Sequence, residues 1–203
     1  MEGRLVLASA SPRRIELLQL IGLDVLVIPS GISESHFDGE TPETHVARLS
    51  REKTGSVSRE YPQDWVLGAD TIVVIDGEIL GKPETEEEAR LMLTKLSNRE
   101  HTVFTGYTIS KEAEKIVISD VVRSRVHFKD ISDEEIDWYI KTDEPYDKAG
   151  GYAVQGRGAF FIRAIHGSYT NVMGLPLCEG IVVIQRVGAI VFNGGHHGRP
   201  GKG

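Results

Sequence analysis

The chain has 203 residues, 40% of them hydrophobic and 26% charged, with a formal net charge of −7 at pH 7. This composition is typical of a globular protein with a sizeable core, and the acidic balance argues against bulk binding to nucleic acid or anionic lipid. Cys178 is the only cysteine, which excludes an intrachain disulfide and a cysteine-rich metal site. No apolar run approaches the roughly 20 residues that cross a bilayer, and the run near the N-terminus is too short for a signal peptide. We therefore expect a cytoplasmic protein without a membrane or nucleic-acid partner.

Apolar runs and turn signals predict strands and helices that do not strictly alternate along the chain. The strands are predicted at 5–9, 25–28, 65–75, 79–80, 101–109, 116–128 and 160–165. The helices are predicted at 12–21, 44–57, 86–96, 133–139 and 175–187, with caps at Ser11, Thr85 and Ser132. This order favours an α/β fold with a mixed sheet. We expect one domain over residues 1–191 and a disordered, glycine-rich tail over 192–203.

The stretch LASASPRRIELL, residues 7–18, places two arginines at the start of a predicted helix. Cations are disfavoured there because the helix macrodipole is already positive. The backbone amides of the first turn, with Ser9, Ser11, Arg13 and Arg14, could form a cradle for a phosphate. The alternative is that Ser11 only caps the helix and both arginines extend into solvent.

The stretch LGADTIVVIDGEILGKP, residues 67–83, places Asp70 inside an otherwise apolar strand. A buried carboxylate needs a partner or a metal ion, and the predicted hairpin at Asp76-Gly77 returns Lys82 towards it and its neighbour Thr71. This arrangement could hold a divalent cation together with a phosphate. Alternatively, Asp70 caps backbone amides and Lys82 is simply exposed.

Two further charged residues are candidates on weaker grounds. Glu34 lies in the polar loop 30–40 and could be a second metal ligand, although an isolated glutamate is usually solvated. Lys53 lies on a predicted helix, where one lysine most often faces water.

The stretch DEPYDKAGGYAVQGRG, residues 143–158, is rich in glycine and polar residues. Its four glycines allow the backbone to approach a ligand closely, and Gln155 offers the donor and acceptor that a base edge requires. A mobile loop without a ligand is the alternative. The histidines are scattered without metal-ligand spacing, and no P-loop, dinucleotide-binding or serine-nucleophile signature is present.

Taken together, these segments resemble the Maf family of nucleoside triphosphate pyrophosphatases. The resemblance covers residues 5–187 and rests on five motifs in chain order: LASASPRRIELL, GADTIVVIDGEILGKP, HTVFTGY, DEPYDKAGGYAVQG and SYTNVMGLPL. It implies an inosine-triphosphatase-like fold, in which helices flank an elongated mixed sheet and a cleft separates two lobes. It also implies hydrolysis of a nucleoside triphosphate to the monophosphate and pyrophosphate with a divalent cation, Mg²⁺ or Mn²⁺.

The resemblance also assigns roles to individual residues. Asp70 matches the family's proton acceptor and Glu34 an acidic position near the metal ion. The positions that line the phosphate site are matched by Ser9, Arg13, Lys53 and Lys82. We expect Arg14 to join this substrate-binding group, and Asp70 to share the metal ion with Glu34.

Three positions divide the family by substrate, and here they hold Arg13, Thr71 and Gln155, as in the subgroup that acts on dTTP and UTP. One departure is the loop sequence GGYAVQG, in which Gly151 and Val154 replace other residues common in the family. The competing hypothesis is a regulatory nucleotide-binding protein that acts in septum formation through a partner. Relatives are often dimers, so a homodimer is a further expectation.

Overall fold

The computed structural model describes residues 4–190. The predicted tail at 192–203 lies outside the described residues. The seven strands are β1 (Leu5–Leu7), β2 (Leu26–Val27), β3 (Trp65–Ile75), β4 (Glu78–Leu80), β5 (Glu100–Lys111), β6 (Ile116–Phe128) and β7 (Ile162–His166). The α-helices are α1 (Pro12–Leu20), α2 (Pro42–Ser58), α3 (Glu86–Leu96), α4 (Asp133–Ile140), α5 (Tyr169–Met173) and α6 (Leu177–Arg186). None of the described helices is long and apolar enough to span a membrane.

The strands form a single mixed sheet in the order β2-β1-β3-β5-β6-β7, with β4 also paired to β3. β1 runs parallel to β2 and β3, whereas β3, β5, β6 and β7 are joined by antiparallel pairs. The predicted α/β class with a mixed sheet flanked by helices is therefore confirmed.

One edge of β3 is paired at both ends but not in the middle. β1 pairs with Trp65–Leu67 and β4 pairs with Val73–Ile75. Among residues 4–190 no strand pairs with 68–72 on this edge, while β5 pairs with the other edge from Val66 to Val74. The gap in the sheet edge falls at Asp70 and Thr71, so both residues border open space.

Two large apolar clusters fill the interior, one on each side of this gap. The first contains Val73, Leu93, Phe128 and Phe161 and is closed by α3 and α4. The second joins α1 and α6 to the other half of the sheet. The single domain with two lobes and its boundaries stay a prediction.

Helix α2 crosses the middle of the sheet because two glycines leave room for it. A Cβ atom at Gly68 would lie 2.3 Å from Thr54 Oγ1, and one at Gly106 would lie 2.3 Å from the Val46 carbonyl oxygen. Any side chain at these positions would push the helix outward. This close approach brings Lys53 of α2 within reach of β3.

Several local predictions were wrong in detail. The strand predicted at 160–165 is Ile162–His166, because Arg157–Phe161 forms a 3-10 turn. The strand predicted at 25–28 is reduced to Leu26–Val27. The helix predicted from 175 begins at Leu177, after Pro176, and the short helix α5 was not predicted.

The predicted caps have mixed outcomes. Ser132 forms a complete capping box with Glu135. Thr85 accepts from the Glu88 amide, but the Glu88 carboxylate bonds Glu84 instead of closing the box. Ser11 stands at the cap position of α1 without a side-chain cap bond.

Candidate active site in the cleft at the open edge of β3

A cavity of about 500 Å³ lies at the gap in the sheet edge. Its walls come from the turn between β1 and α1, the loop after β2, the middle of β3 and the glycine-rich segment near residue 150. Most of the predicted site residues line it, namely Ser9, Arg13, Arg14, Glu34, Lys53, Asp70, Thr71 and Lys82. The structure therefore brings these eight residues together, and the catalytic, binding or metal role of each stays a prediction.

An ammonium group lies between two carboxylates at the floor of the cavity. Lys53 Nζ donates to Asp70 Oδ1 at 2.7 Å and lies 2.6 Å from Glu34 Oε1. Lys53 and Asp70 are both buried, whereas half of the Glu34 side chain is exposed. The alternative that Lys53 faces water is wrong, since the α2 contact with β3 holds it inside.

The charge of Lys53 also controls the ionisation of Glu34. Burial by itself would raise the pKa of Glu34, but the hydrogen bond and positive charge of Lys53 outweigh it, with support from Lys82 and Arg14. The net result is a pKa below the usual value for a glutamate. Glu34 is therefore ionised at neutral pH and can act as an oxygen ligand or a charge partner.

The donor set fits a hard divalent cation such as Mg²⁺ or Mn²⁺. The oxygens of Glu34 and Asp70 converge on one point, which is occupied by the Lys53 ammonium. Mg²⁺ commonly takes only one or two protein carboxylates and completes its shell with water and substrate phosphates. The carboxylate oxygens not bonded to Lys53 could supply those ligands.

Arg14 is not solvated but buried beneath the cavity, which corrects the alternative in which both arginines extend into solvent. Its Nε donates to the Gly174 carbonyl at 2.7 Å, Nη1 to Ser9 Oγ at 3.0 Å and Nη2 to Thr71 Oγ1 at 3.1 Å. Burial lowers the pKa of Arg14, partly offset by the charge of Asp70. Arg14 thus links three parts of the cavity wall that are distant in sequence.

The other predicted cations are more open. Arg13 is half-buried, and its Nη1 lies 3.4 Å from Asp147 Oδ2. Lys82 is exposed and, within residues 4–190, makes no ion pair. Because Ser11 does not cap α1 and the first turn has no acidic residue, the amides at this helix start are also available to an anion.

Gln155 is the predicted residue that the structure does not bring into the cavity wall. Val154 lines the cavity, whereas Gln155 is exposed. Thr71 does line it, but its hydroxyl is also 2.9 Å from Thr105 Oγ1 and accepts from Arg14. A substrate in the cavity could therefore contact Thr71 directly, whereas Gln155 lies outside the cavity wall.

The glycine-rich segment is held in place by a residue that the sequence analysis did not identify. Glu144 accepts hydrogen bonds from the amides of Arg157 and Gly158 at 2.8 Å and from the Tyr139 hydroxyl at 2.9 Å. Burial opposes ionisation of Glu144, but these donors hold its pKa below the usual value. Internal hydrogen bonds therefore hold this segment, and its contact with a ligand stays a prediction.

Two other buried residues, Tyr152 and Asn171, were also missed. The Tyr152 hydroxyl lies 2.7 Å from His101 Nε2, and burial lowers the pKa of His101 to about 3, so the imidazole is neutral. Asn171 is fully buried and donates to the Val103 carbonyl and to Ser124 Oγ. Ser168 and Gly174 cap the short helix α5 at its two ends, and these capping residues are the sequence signals that could have predicted the helix that carries Asn171.

The spacing of the histidines in the sequence does not indicate a cluster of ligand-type side chains that lies beside the cleft. His36, Glu40 and His45 each place one donor atom within 4.8 Å of the others. His36 and Glu40 lie in the loop before α2 and His45 near the start of that helix, so the cluster depends on how the loop packs against the helix.

Comparison with known proteins agrees with the geometry. The family model described as Maf-like protein matches residues 4–187. The chain belongs to the Maf family. A curated relative from Syntrophus aciditrophicus is 55% identical over 196 residues, which are 97% of this chain and 96% of that protein. A second, from Geotalea uraniireducens, is 49% identical over 189 residues, covering 93% and 97% of the two chains. Both Maf relatives are named dTTP/UTP pyrophosphatase.

Among solved structures, a Ham1 protein from Staphylococcus aureus has a TM-score of 0.44 at 17% identity. That match covers 62% of this Maf chain and 71% of the other. A HAM1 protein from Coxiella burnetii has a TM-score of 0.42 at 16% identity, over 62% and 73% of the two chains.

Proposed function

We propose that this Maf protein is a nucleoside triphosphate pyrophosphatase that hydrolyses dTTP and UTP, and modified forms of these pyrimidine nucleotides, to the monophosphate and pyrophosphate. The observation that carries the proposal is the Lys53–Asp70–Glu34 cluster at the floor of a cleft that is also lined by Arg13 and Lys82. The names of the curated relatives support the same activity and do not favour a purely regulatory role in septum formation.

Asp70 accepts the proton of the attacking water in this proposal. Its Oδ1 is held by Lys53, which leaves Oδ2 to orient a water molecule towards the α-phosphorus. The P–O bond to the β-phosphate breaks as the water oxygen forms its bond, and pyrophosphate leaves. The hydrogen bond from Lys53 holds the Asp70 carboxylate in place for this step.

The cationic groups of the cleft stabilise the leaving pyrophosphate. Arg13, Lys82 and the amides at the start of α1 lie where phosphate oxygens would gather, and their charge offsets the charge that develops on those oxygens. Mg²⁺ or Mn²⁺, held by Glu34 and Asp70 together with phosphate oxygens, would supply further charge neutralisation and activation of water. Ser9 and Arg14 bind the phosphates at the inner wall, where Arg14 also fixes the position of Ser9.

The first test is pyrophosphate release from a panel of nucleoside triphosphates with Mg²⁺ or Mn²⁺. Wild type is expected to release pyrophosphate from dTTP and UTP. Asp70→Asn is expected to lose about 10²–10⁴-fold in kcat, the range for removal of a general base. Asp120→Asn, at an exposed position on β6, is the matched control and should retain activity. Binding of dTTP without release by wild type would exclude the enzyme and favour the regulatory alternative, and release of inorganic phosphate would indicate a phosphatase.

Base selection is assigned to Arg13, Thr71 and Gln155. Since Gln155 follows the cavity-lining Val154, a base that extends along this loop would meet its amide, which can pair with the O4/N3 edge of thymine or uracil. Thr71 adds no charge near that edge.

Gln155→Glu is therefore expected to lower kcat/KM for dTTP by about tenfold or more, because a carboxylate cannot donate to O4. Gln185→Glu, exposed on α6, serves as the control for the added charge. Wild-type activity of Gln155→Glu on dTTP would contradict this role.

We further propose that the enzyme is cytoplasmic, acts as a homodimer and binds no nucleic acid. The net charge of −7 supports the last of these points.

A further inference from the structure

A second group of ligand-type side chains lies outside the phosphate cleft. His36 and Glu40 belong to the loop between β2 and α2, and His45 is on the first turns of α2. His36 Nδ1 lies 3.4 Å from His45 Nδ1 and 3.8 Å from Glu40 Oε2, and His45 Nδ1 lies 3.0 Å from Glu40 Oε2. The three donor atoms thus form a small triangle.

These separations match those of ligands around one transition-metal ion. Bonds of 2.0–2.2 Å in a tetrahedral arrangement place neighbouring ligand atoms roughly 3.3 Å apart. We infer that His36, Glu40 and His45 form a binding site for a transition-metal ion of the Zn²⁺ or Co²⁺ type, separate from the cation used in catalysis. Two imidazole nitrogens in three donors select such ions over Mg²⁺, which prefers oxygen.

The hydrogen bonds around Glu40 hold its carboxylate in position for this role. Arg48 donates from Nε to Oε1 at 2.5 Å and from Nη2 to Oε2 at 2.8 Å, and the Phe37 amide donates to Oε2 at 3.1 Å. Such outer contacts orient a ligating carboxylate and are typical of metal sites. His45 Nδ1 and Glu40 Oε2 lie 3.0 Å apart, and a bound ion between them would replace this direct contact.

The site also has an open side. His36, Glu40 and His45 line a second cavity of about 510 Å³, to which Glu34, Asp70 and Lys82 contribute as well. Three protein ligands with a fourth position open to a cavity are typical of non-structural zinc sites. A bound ion would fasten the loop that carries Glu34 to the helix that carries Lys53.

The test is a Co²⁺ titration followed by absorption spectroscopy in excess Mg²⁺, so that the oxygen ligands of the cleft are occupied. The full chain carries His196→Ala and His197→Ala in every variant, because the adjacent tail histidines would themselves bind Co²⁺. This parent is expected to bind one Co²⁺ per chain and to show the intense visible absorption bands of a tetrahedral Co²⁺ site. Saturating Zn²⁺ is expected to raise its Tm by about 5 °C or more.

His36→Ala removes a half-exposed ligand and is expected to weaken Co²⁺ binding at least about 100-fold. His45→Gln should do the same but removes a buried side chain, so its fold is checked by circular dichroism. His166→Ala, exposed on β7, is the matched control and should bind as the parent does. Absence of stoichiometric binding in the parent, or unchanged binding in His36→Ala, would overturn the inference. The spectrum reports the site directly, so the outcome does not depend on the proposed pyrophosphatase activity.

Discussion

Asp70 and Thr71 are neighbours on β3, and their side chains join two different networks at the same cavity. Successive residues of a strand point to opposite faces of the sheet, so Asp70 meets Lys53 of α2 while Thr71 meets Arg14 of α1. The Asp70 network contains two carboxylates and an ammonium, and it extends to the half-exposed Glu34. The Thr71 network joins one guanidinium to neutral oxygens.

The two networks also differ in how completely their groups are satisfied. Each of the three guanidinium nitrogens of Arg14 has its own acceptor, and the Thr71 hydroxyl continues to Thr105 and from there to the Asn171 carbonyl. In the other network, Asp70 and Glu34 retain oxygens that Lys53 does not use. We infer that Arg14 supports the cavity wall in addition to its proposed phosphate contacts, whereas the unused oxygens of Asp70 and Glu34 are available for the proposed reaction.

The largest effect that separates the two networks is expected from Arg14→Met. The substitution removes one hydrogen-bond donor each from the Gly174 carbonyl, Ser9 Oγ and Thr71 Oγ1, and it should lower the free energy of unfolding by about 3 kcal/mol. Urea denaturation followed by circular dichroism measures it. Arg13→Met is the matched control on the adjacent residue, whose contact to Asp147 is long and exposed, and it should cost below about 1 kcal/mol. Equal losses in the two variants would remove the distinction between a supporting and a reacting side.

The composition of the cleft could be predicted from the sequence, but the arrangement of its groups could not. The resemblance to the Maf family brought Ser9, Arg13, Lys53 and Asp70 to one site, and all four line the cavity. The contact of Lys53 with both Glu34 and Asp70 was not predicted. It depends on the close approach of α2 at Gly68 and Gly106. Glycine is required at these two positions of the sheet because α2 packs directly against them.

The same limit explains the residues that were missed. Glu144 accepts from the Gly158 amide, 14 residues further on, and Asn171 donates to the Val103 carbonyl, 68 residues away. Local periodicity and capping signals carry no information on such partners. The strands of the sheet were predicted more successfully because apolar runs reflect burial directly.

A smaller effect, which tests the Asp70 network alone, is expected in the pKa of Glu34. In the wild-type protein Lys53 holds the pKa of Glu34 below its usual value, so ionised Glu34 stabilises the fold at neutral pH, and this contribution is lost as the pH falls through the folded-state pKa. In Lys53→Met the opposing effect of burial dominates, and the pKa of Glu34 should rise. Titration of the Glu34 carboxyl carbon by NMR measures the shift, with Lys95→Met, on α3 and away from the cleft, as the control. An unchanged pKa of Glu34 in Lys53→Met would mean that the ammonium does not connect the two carboxylates in solution, and Lys53 would then be assigned to the phosphates alone.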